Sequence, residues 1–414
     1  MNEKNNFALV QKPSSAVEKV APSAKRIMSG MVGDTLDLAK KAVSKGCRVS
    51  DAQLENWFQT GFNYYHGQGV PQDYAEAVKW YRMAAEQNLA KAQHELGFCY
   101  DNGRGVEKDY VEAVKWYRKA AEQNYALSQH GLGFCYDNGR GVEKDSVEAV
   151  KWYRKAAEQN YAWSQHGLGS CYDSGRGVEK DSVEAVKWYR KAAEQNNVNG
   201  QCCLGNCYYN GEGVEKDCLE AVKWYRKAAE QNDASAQRSL GSCYEHGKGV
   251  LPSFGESLNW YRKSAEQNNA SAQCSLGFFC DQGLGVEKNY EEAVKWYRKS
   301  AEQNFVIAQF NLGVCYQNGR GVEKDYVEAV KWYRKATEQN DVDAQNALGF
   351  CYEQGQGVLQ NVIEAYKFYK LAAEQNQKKA VENLKRIATL MNTIEIAEGG
   401  RRVREFRSQI NLSK

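Results

Sequence analysis

Apolar residues along this chain recur in two alternating helical patterns. In residues 92–124, Ala92, Leu96, Cys99 and Tyr100 fall at i, i+4, i+7 and i+8, one face of a helix. Beyond Gly103 and Gly105, Ala113, Val114, Tyr117, Ala120 and Ala121 share a second apolar face, with Lys115, Arg118, Lys119 and Glu122 opposite. The spacing predicts a short helix, a tight turn and a second helix. The two glycines suit the left-handed or crowded backbone of such a turn. The same pattern returns nine times between Ala52 and Asn376, and a more polar version over residues 378–391, with Lys378, Lys379, Glu382, Lys385 and Arg386, reads as a C-terminal cap.

Each second helix carries its own start and stop. Asp109 is placed to cap the helix, and Glu112, three residues on, completes the signature of a capping box. The capping position changes only among Asp, Ser and Asn, as in Asp181, Ser253 and Asn289, all of which cap well. Asn124 ends the helix, and asparagine recurs there from Asn88 to Asn376, at a place where the backbone is expected to turn left-handed. Tryptophan keeps a strict 36-residue period from Trp80 to Trp332, with Phe368 in the ninth place. A fixed period of this size marks a stacked repeat array. Trp116, at the edge of its apolar stripe, is expected to cover the seam to the next repeat. The fold class that follows is all-α, a solenoid of stacked helix-turn-helix repeats, an α/α superhelix.

Charge and cysteine content refine this picture. The net charge of +3 is unevenly spread: the first fifty residues are basic, residues 392–414 are basic, and the array between them is mildly acidic. That balance argues against the array tracking a phosphate backbone. Of the 13 cysteines, Cys99, Cys135, Cys171, Cys207, Cys243, Cys315 and Cys351 share one repeat position, which Phe279 fills in one copy. A slot that takes Cys or Phe is apolar and buried. No second cysteine recurs to pair with it, so reduced thiols, a reducing compartment and a cytoplasmic location are expected. No run of 18 apolar residues supports a membrane span, and the first residues lack the charged and apolar regions of a secretory signal.

The run LGxCYxxGxGVEKDxxEAVKWYRKAAEQN resembles the SEL-type (SLR) repeat family, relatives of the tetratricopeptide repeats with a longer interhelical loop. The family commonly has Gly where this chain has Asn after the second helix, a conservative departure because both accept the left-handed backbone. The resemblance implies that the first helices line a concave face. The residues that vary between copies there become candidates for partner binding: His94, Glu95, Phe98, Asp101, His130, Phe134 and Asp137 early in the array, and His166, Asp173, Arg238, Phe310 and Phe350 later. Together they predict a groove with exposed Phe, His and acidic side chains that grips a peptide or protein.

Competing chemistry is weaker. His94, His130 and His166 form a ladder, but adjacent rungs are too far apart for one metal ion, so surface or groove histidines are expected. The G-x-G turns lack the GK[ST] and preceding strand of a phosphate loop. Cys99 and His94, five residues apart on a helix, point about 140° apart and do not form a nucleophile pair. No cofactor, metal or small-molecule ligand is expected. A non-catalytic protein–protein scaffold or adaptor is the leading reading. The alternatives are a hydrolase of the cysteine-rich, β-lactam-handling type, whose paired cysteines are missing here, and a helical-repeat nucleic-acid binder, which the acidic Asp101, Asp137 and Asp173 oppose. The expected boundaries are a flexible basic arm over 1–50 with a short helix from Thr35 to Lys45, nine repeats over 51–376, a capping helix over 377–391 and a basic, solvated tail over 392–414.

Overall fold

The computed structural model describes residues 49–412, and the arm with its short helix falls outside the described residues. Those described divide into two units, one reaching Gln159 and one beginning at Asn160. Among them every regular element is an α-helix. The first unit holds three helix pairs: Asp51–His66 with Tyr74–Glu86, Ala90–Asn102 with Tyr110–Glu122, and Ala126–Asn138 with Ser146–Glu158. The second holds six, from Ala162–Ser174 with Ser182–Glu194 to Val342–Gln354 with Val362–Ala373, and then the helices Lys378–Ala388 and Thr393–Leu412. The chain is thus an all-α repeat solenoid, as its periodicity requires.

The apolar stripes are where the pattern puts them. Leu96, Cys99, Ala113 and Tyr117 are buried, and so are Leu204, Cys207, Ala221 and Tyr225 in the second unit. Gly97 allows the two helices of its pair to meet: a Cβ there would stand 2.9 Å from the Tyr117 ring. Gly105 has φ +73°, and a Cβ would collide with the Tyr74 carbonyl of the preceding pair. One glycine therefore serves both the turn and the stacking of repeats. Tryptophan does sit in the seam. Trp152 packs with Ala113, Val114 and Tyr117 of the previous repeat, and the Lys155 ammonium lies 4.2 Å from its ring centroid. The lysine one turn after the tryptophan repeats this cover at Trp116, Trp188 and Trp260, a cation–π contact of about 0.5–1 kcal/mol where exposed.

Only half of the capping box forms. The Asp109 carboxylate accepts from the Val111 and Glu112 amides at 2.9 and 3.0 Å. The Asp109 amide, which Glu112 was expected to bind, donates instead to the Tyr100 carbonyl at 3.0 Å. Glu112 is left to pair with Lys115 at 2.9 Å. The long interhelical turn returns over the end of the first helix and takes the amide first.

The asparagine after each second helix does more than turn the backbone. Asn124 has φ +64°, as the sequence predicts. Its side-chain oxygen also accepts from Gln129 Nε2 at 3.0 Å and from Gln159 Nε2 at 3.1 Å, while Gln159 Nε2 donates to Gln129 Oε1 at 2.6 Å. Gln129 is buried. The same amide triad joins Asn88, Gln93 and Gln123, and in the second unit Asn196, Gln201 and Gln231. Asparagine is therefore not equivalent to glycine here: its side chain links one repeat to the next.

The C-terminal end departs from expectation. Lys378–Ala388 does cap the last pair, with Ile387 buried and Arg386 paired to Glu353. The residues beyond it are not a solvated tail. Thr393–Leu412 is a helix whose Val403 is buried beside Phe368, with the Phe406 ring 5.9 Å from that of Phe368. Arg402 binds Glu364 at 2.6 Å and Glu398 at 2.8 Å. The arginines that suggested a free basic tail hold a helix against the final repeat.

Candidate functional site

The first helices present the residues that differ between copies, and stacking decides which of them remain available. His94 was expected in a groove but is buried, with Nδ1 3.0 Å from Ser128 Oγ of the next repeat. Its ring lies 5.5 Å from both Tyr117 and Tyr125. His130 is buried too, 5.5 Å from the Tyr153 ring. His166 is half-buried, 5.9 Å from Tyr189, with Nε2 3.8 Å from Cys203 Sγ. Burial pushes His94 and His166 down to about 4, so both are neutral near pH 7. The histidine ladder is packing between repeats. The expectation of exposed histidines fails because neighbouring repeats pack on them; at His94 the cover is Tyr125 and Ser128, at the start of the following first helix.

The acidic positions are also partly consumed. Asp101 forms an ion pair with Arg140 at 2.9 Å, and Arg140 lies 4.2 Å from the Tyr110 ring centroid. Asp137 is buried, contrary to its expected exposure. In the second unit Asp281 pairs with Arg320 in the same way. Asp173 is half-buried, and the residue 39 positions on is Glu212 in place of an arginine. Arg238 is half-buried and donates to Ser239 Oγ at 3.2 Å.

Of the set, Phe350 is the one exposed side chain, and its equivalent Phe278 shares that exposure. Phe350 is 38% exposed and Phe278 is 41% exposed. Phe98, Phe134 and Phe310 are half-buried; Arg104 lies 5.7 Å from the Phe98 centroid, and the Tyr333 ring 5.8 Å from Phe310. The candidates do not converge on one constellation. They are spread along successive first helices, which suits several separate contacts with an extended ligand. Over the second helices, an open groove beside Trp116 is lined by Val111, Glu112, Lys115, Lys119 and Gly141.

Glu95 carries a signal that its variability alone did not explain. Burial pushes its carboxyl up to about 7. By contrast the repeat cysteines are inert: burial lifts Cys99 and Cys135 to about 12 and Cys351 to about 11, so these thiols stay protonated and poorly nucleophilic. Among the described residues no group of three His, Cys, Asp or Glu side chains is placed to hold a metal ion. No described helix is long and apolar enough to cross a membrane.

Comparison with known proteins agrees with this architecture. The Sel1 repeat pattern matches nine segments, from residues 58–89 and 90–125 through to 342–377. A solved structure described as c5321, a protective antigen present in uropathogenic Escherichia coli strains displaying an SLR fold, is 34% identical, with 91% of this chain and 87% of that one covered and a TM-score of 0.54. A Sel1 repeat protein from Oxalobacter formigenes is 38% identical over 59% of this chain and 96% of its own, with a TM-score of 0.55. A search of curated proteins finds no match. Nine consecutive matched repeats settle the assignment: the chain belongs to the Sel1 repeat family, a family of repeat scaffolds for protein–protein contact.

Proposed function

We propose that this protein is a non-catalytic scaffold or adaptor that holds a protein or peptide partner along the concave face formed by its first helices. The observation that carries the reading is where the copies differ. The second helix is nearly constant, as in the identical EAVKWYRKAAEQN of residues 112–124 and 148–160. The first helix changes at the positions of Phe98 and its equivalents Phe134, Ser170, Asn206, Phe278 and Phe350. Stacking needs the constant residues, and the changing ones can vary to match a ligand. Rings that are part-exposed on a rigid helix are good anchors, since they bury large apolar area at small entropic cost. Several weak contacts on one array then add through effective concentration. Thiols held protonated by burial fit a reducing compartment, and we place the protein in the cytoplasm.

The test compares what the wild-type chain and a Phe98→Ala, Phe134→Ala, Phe350→Ala variant capture from the native cells, with circular dichroism confirming unchanged helicity. The reading expects a defined partner lost or reduced at least tenfold in the variant. The same proteins captured in the same amounts would remove these positions from the interface.

A further inference from the structure

One junction of the second unit has exchanged its charges for apolar side chains. Elsewhere a tyrosine that starts a second helix stands between two cations. The Lys108 ammonium lies 4.9 Å from the Tyr110 ring centroid, and the Arg140 guanidinium, from the turn of the next repeat, lies at 4.2 Å. In the second unit Tyr290 is held in the same way, by Lys288 at 5.0 Å and Arg320 at 4.8 Å. The helix Phe254–Glu266 begins with Phe254 in the place of that tyrosine, and the two cations are replaced by Pro252 and Leu284. Leu251 stands where Glu107 and Glu287 stand in the other turns.

The exchange uncovers the ring. Tyr110 and Tyr290 are half-buried, whereas Phe254 is 45% exposed and Leu251 is 88% exposed. These residues are contiguous. Leu251 and Phe254 are three positions apart, so their Cα atoms lie within about 11 Å of each other. The turn that carries Leu284 abuts Phe254: a Cβ on Gly285 would stand 2.8 Å from the Phe254 carbonyl carbon. The Phe254 ring meets the Phe279 ring edge-on at 6.0 Å, and Leu284 packs on the cluster that contains Phe279. That packing explains Phe279 and the inner side of Leu284. It explains neither Leu251 nor the outer face of Phe254.

A carboxylate beside the patch has lost its usual partner. In other repeats a glutamate in the first turn pairs with a lysine three residues on, as Glu220 does with Lys223 at 2.7 Å and Glu292 with Lys295 at 3.4 Å. Here the lysine is replaced by Asn259, and Glu256 is exposed and forms no ion pair among the described residues. The equivalent Glu112 lines a groove with Gly141 and Val142 of the following turn, so by register Glu256 borders Gly285 and Val286, next to Leu284. The combination is confined to this junction. Leu359 is also exposed in its turn, but Val362 takes the place of the ring, and Glu364 keeps Lys367 at 2.6 Å.

Area and charge together choose the occupant. Leu251 and Phe254 leave on the order of 300 Å² of apolar surface uncovered, against the roughly 800 Å² that each copy gives to a stable dimer. So small a patch suits the one or two apolar anchors of a short segment. The unpaired carboxylate at its border calls for a cation. We infer that Leu251, Phe254 and Leu284 form a docking patch for a short amphipathic segment of a partner protein, whose apolar side chains cover the patch and whose lysine or arginine pairs with Glu256. The patch lies on turns and at the start of a second helix. It is therefore a second interaction surface, independent of the first-helix contacts proposed above.

The other repeats supply the control. A variant carrying Leu251→Glu, Pro252→Lys, Phe254→Tyr and Leu284→Arg restores the residues with which other junctions stack, so it removes the patch and keeps the fold, as circular dichroism should confirm. The probe is a phage-displayed library of random peptides about 12 residues long, selected on the full chain. Enriched peptides are then synthesised with a fluorescein label and titrated by anisotropy. They should carry a large apolar residue within four positions of a lysine or arginine and bind in the micromolar range. Binding should be at least tenfold weaker to the restored variant and several-fold weaker to Asn259→Lys, which returns to Glu256 its usual partner. No enrichment, or equal binding to the wild type and the restored variant, overturns the patch. Acidic peptides, or unchanged affinity in Asn259→Lys, overturn the pairing with Glu256. A wild-type dimer in sedimentation velocity that the restored variant lacks would make the occupant a second copy of the chain and refute the partner segment.

Discussion

The amide triad at a repeat junction gives the sharpest test of how these helices are joined. Around Asn196, Gln201 Nε2 donates to the Ala193 carbonyl at 3.3 Å and to Asn196 Oδ1 at 3.0 Å, and Gln201 Oε1 accepts from Gln231 at 2.7 Å. Gln201→Leu removes all three. At about 0.5–1.5 kcal/mol for each hydrogen bond, less the gain from burying a more apolar side chain, the net loss is about 2 kcal/mol. Asn196→Gly deletes an acceptor used twice but keeps the left-handed backbone, whose φ is +63°. It should cost about 1 kcal/mol after the relief of backbone strain. Asn196→Ala loses the same acceptor and puts a β-carbon into that conformation, for about 2 kcal/mol. A repeat array does not unfold as one cooperative unit, so the readout is amide hydrogen exchange in Val198–Asn210 and Cys218–Glu230. A loss of about 2 kcal/mol corresponds to roughly thirtyfold faster exchange. If Asn196→Gly exchanges no faster than the wild type, asparagine serves the backbone alone and the linking role of its amide is wrong.

Glu95 makes stability depend on pH. Burial raises its folded value from 4.5 to about 7, so its contribution is fully present below pH 4.5 and lost as pH rises through about 7. Allowing for its partial exposure, the chain should lose about 1–2 kcal/mol between about pH 5 and pH 8 relative to Glu95→Gln; protection factors of the Ala90–Asn102 amides that change in parallel with pH in the two proteins would show the carboxyl to be solvated. At the other end, Val403→Asp puts a charge beside Phe368 in a buried contact and should release the helix Thr393–Leu412 while the repeats stay folded. Limited proteolysis then cuts near Leu390–Thr393, and a helix that stays protected would refute the packing.

Much of the repeat was legible because its information is local. The helix pairs, turn glycines, N-caps and left-handed asparagines depend on residues within a few positions of one another. The amide triad depends on Gln93 meeting Gln123, and the ion pair on Asp101 meeting Arg140, contacts 30 and 39 residues apart. A helical wheel of one repeat contains neither. For the same reason His94 read as exposed: its cover, Ser128 and Tyr125, belongs to the next repeat. A signal for the triad was available, since a glutamine recurring on an otherwise apolar face has to be satisfied by something. The final helix was hidden by composition, because five basic residues among the last 23 of the chain outweighed the spacing of Val403 and Phe406.

The triads also make the array tolerant of changes in copy number. Asn196 accepts from Gln201 and Gln231, and Asn232 accepts from Gln237 and Gln267 with nearly the same geometry. Excising Asn197–Asn232 would bring Asn196 to the place of Asn232 and offer it the same two donors. The junction has no means of telling its true neighbour from the one after. Length can therefore change by whole repeats without any new contact having to be invented, whereas a cut one residue longer or shorter finds no donor in register. Adding or losing a repeat would change how many first helices a partner meets and leave untouched the way any two of them are joined.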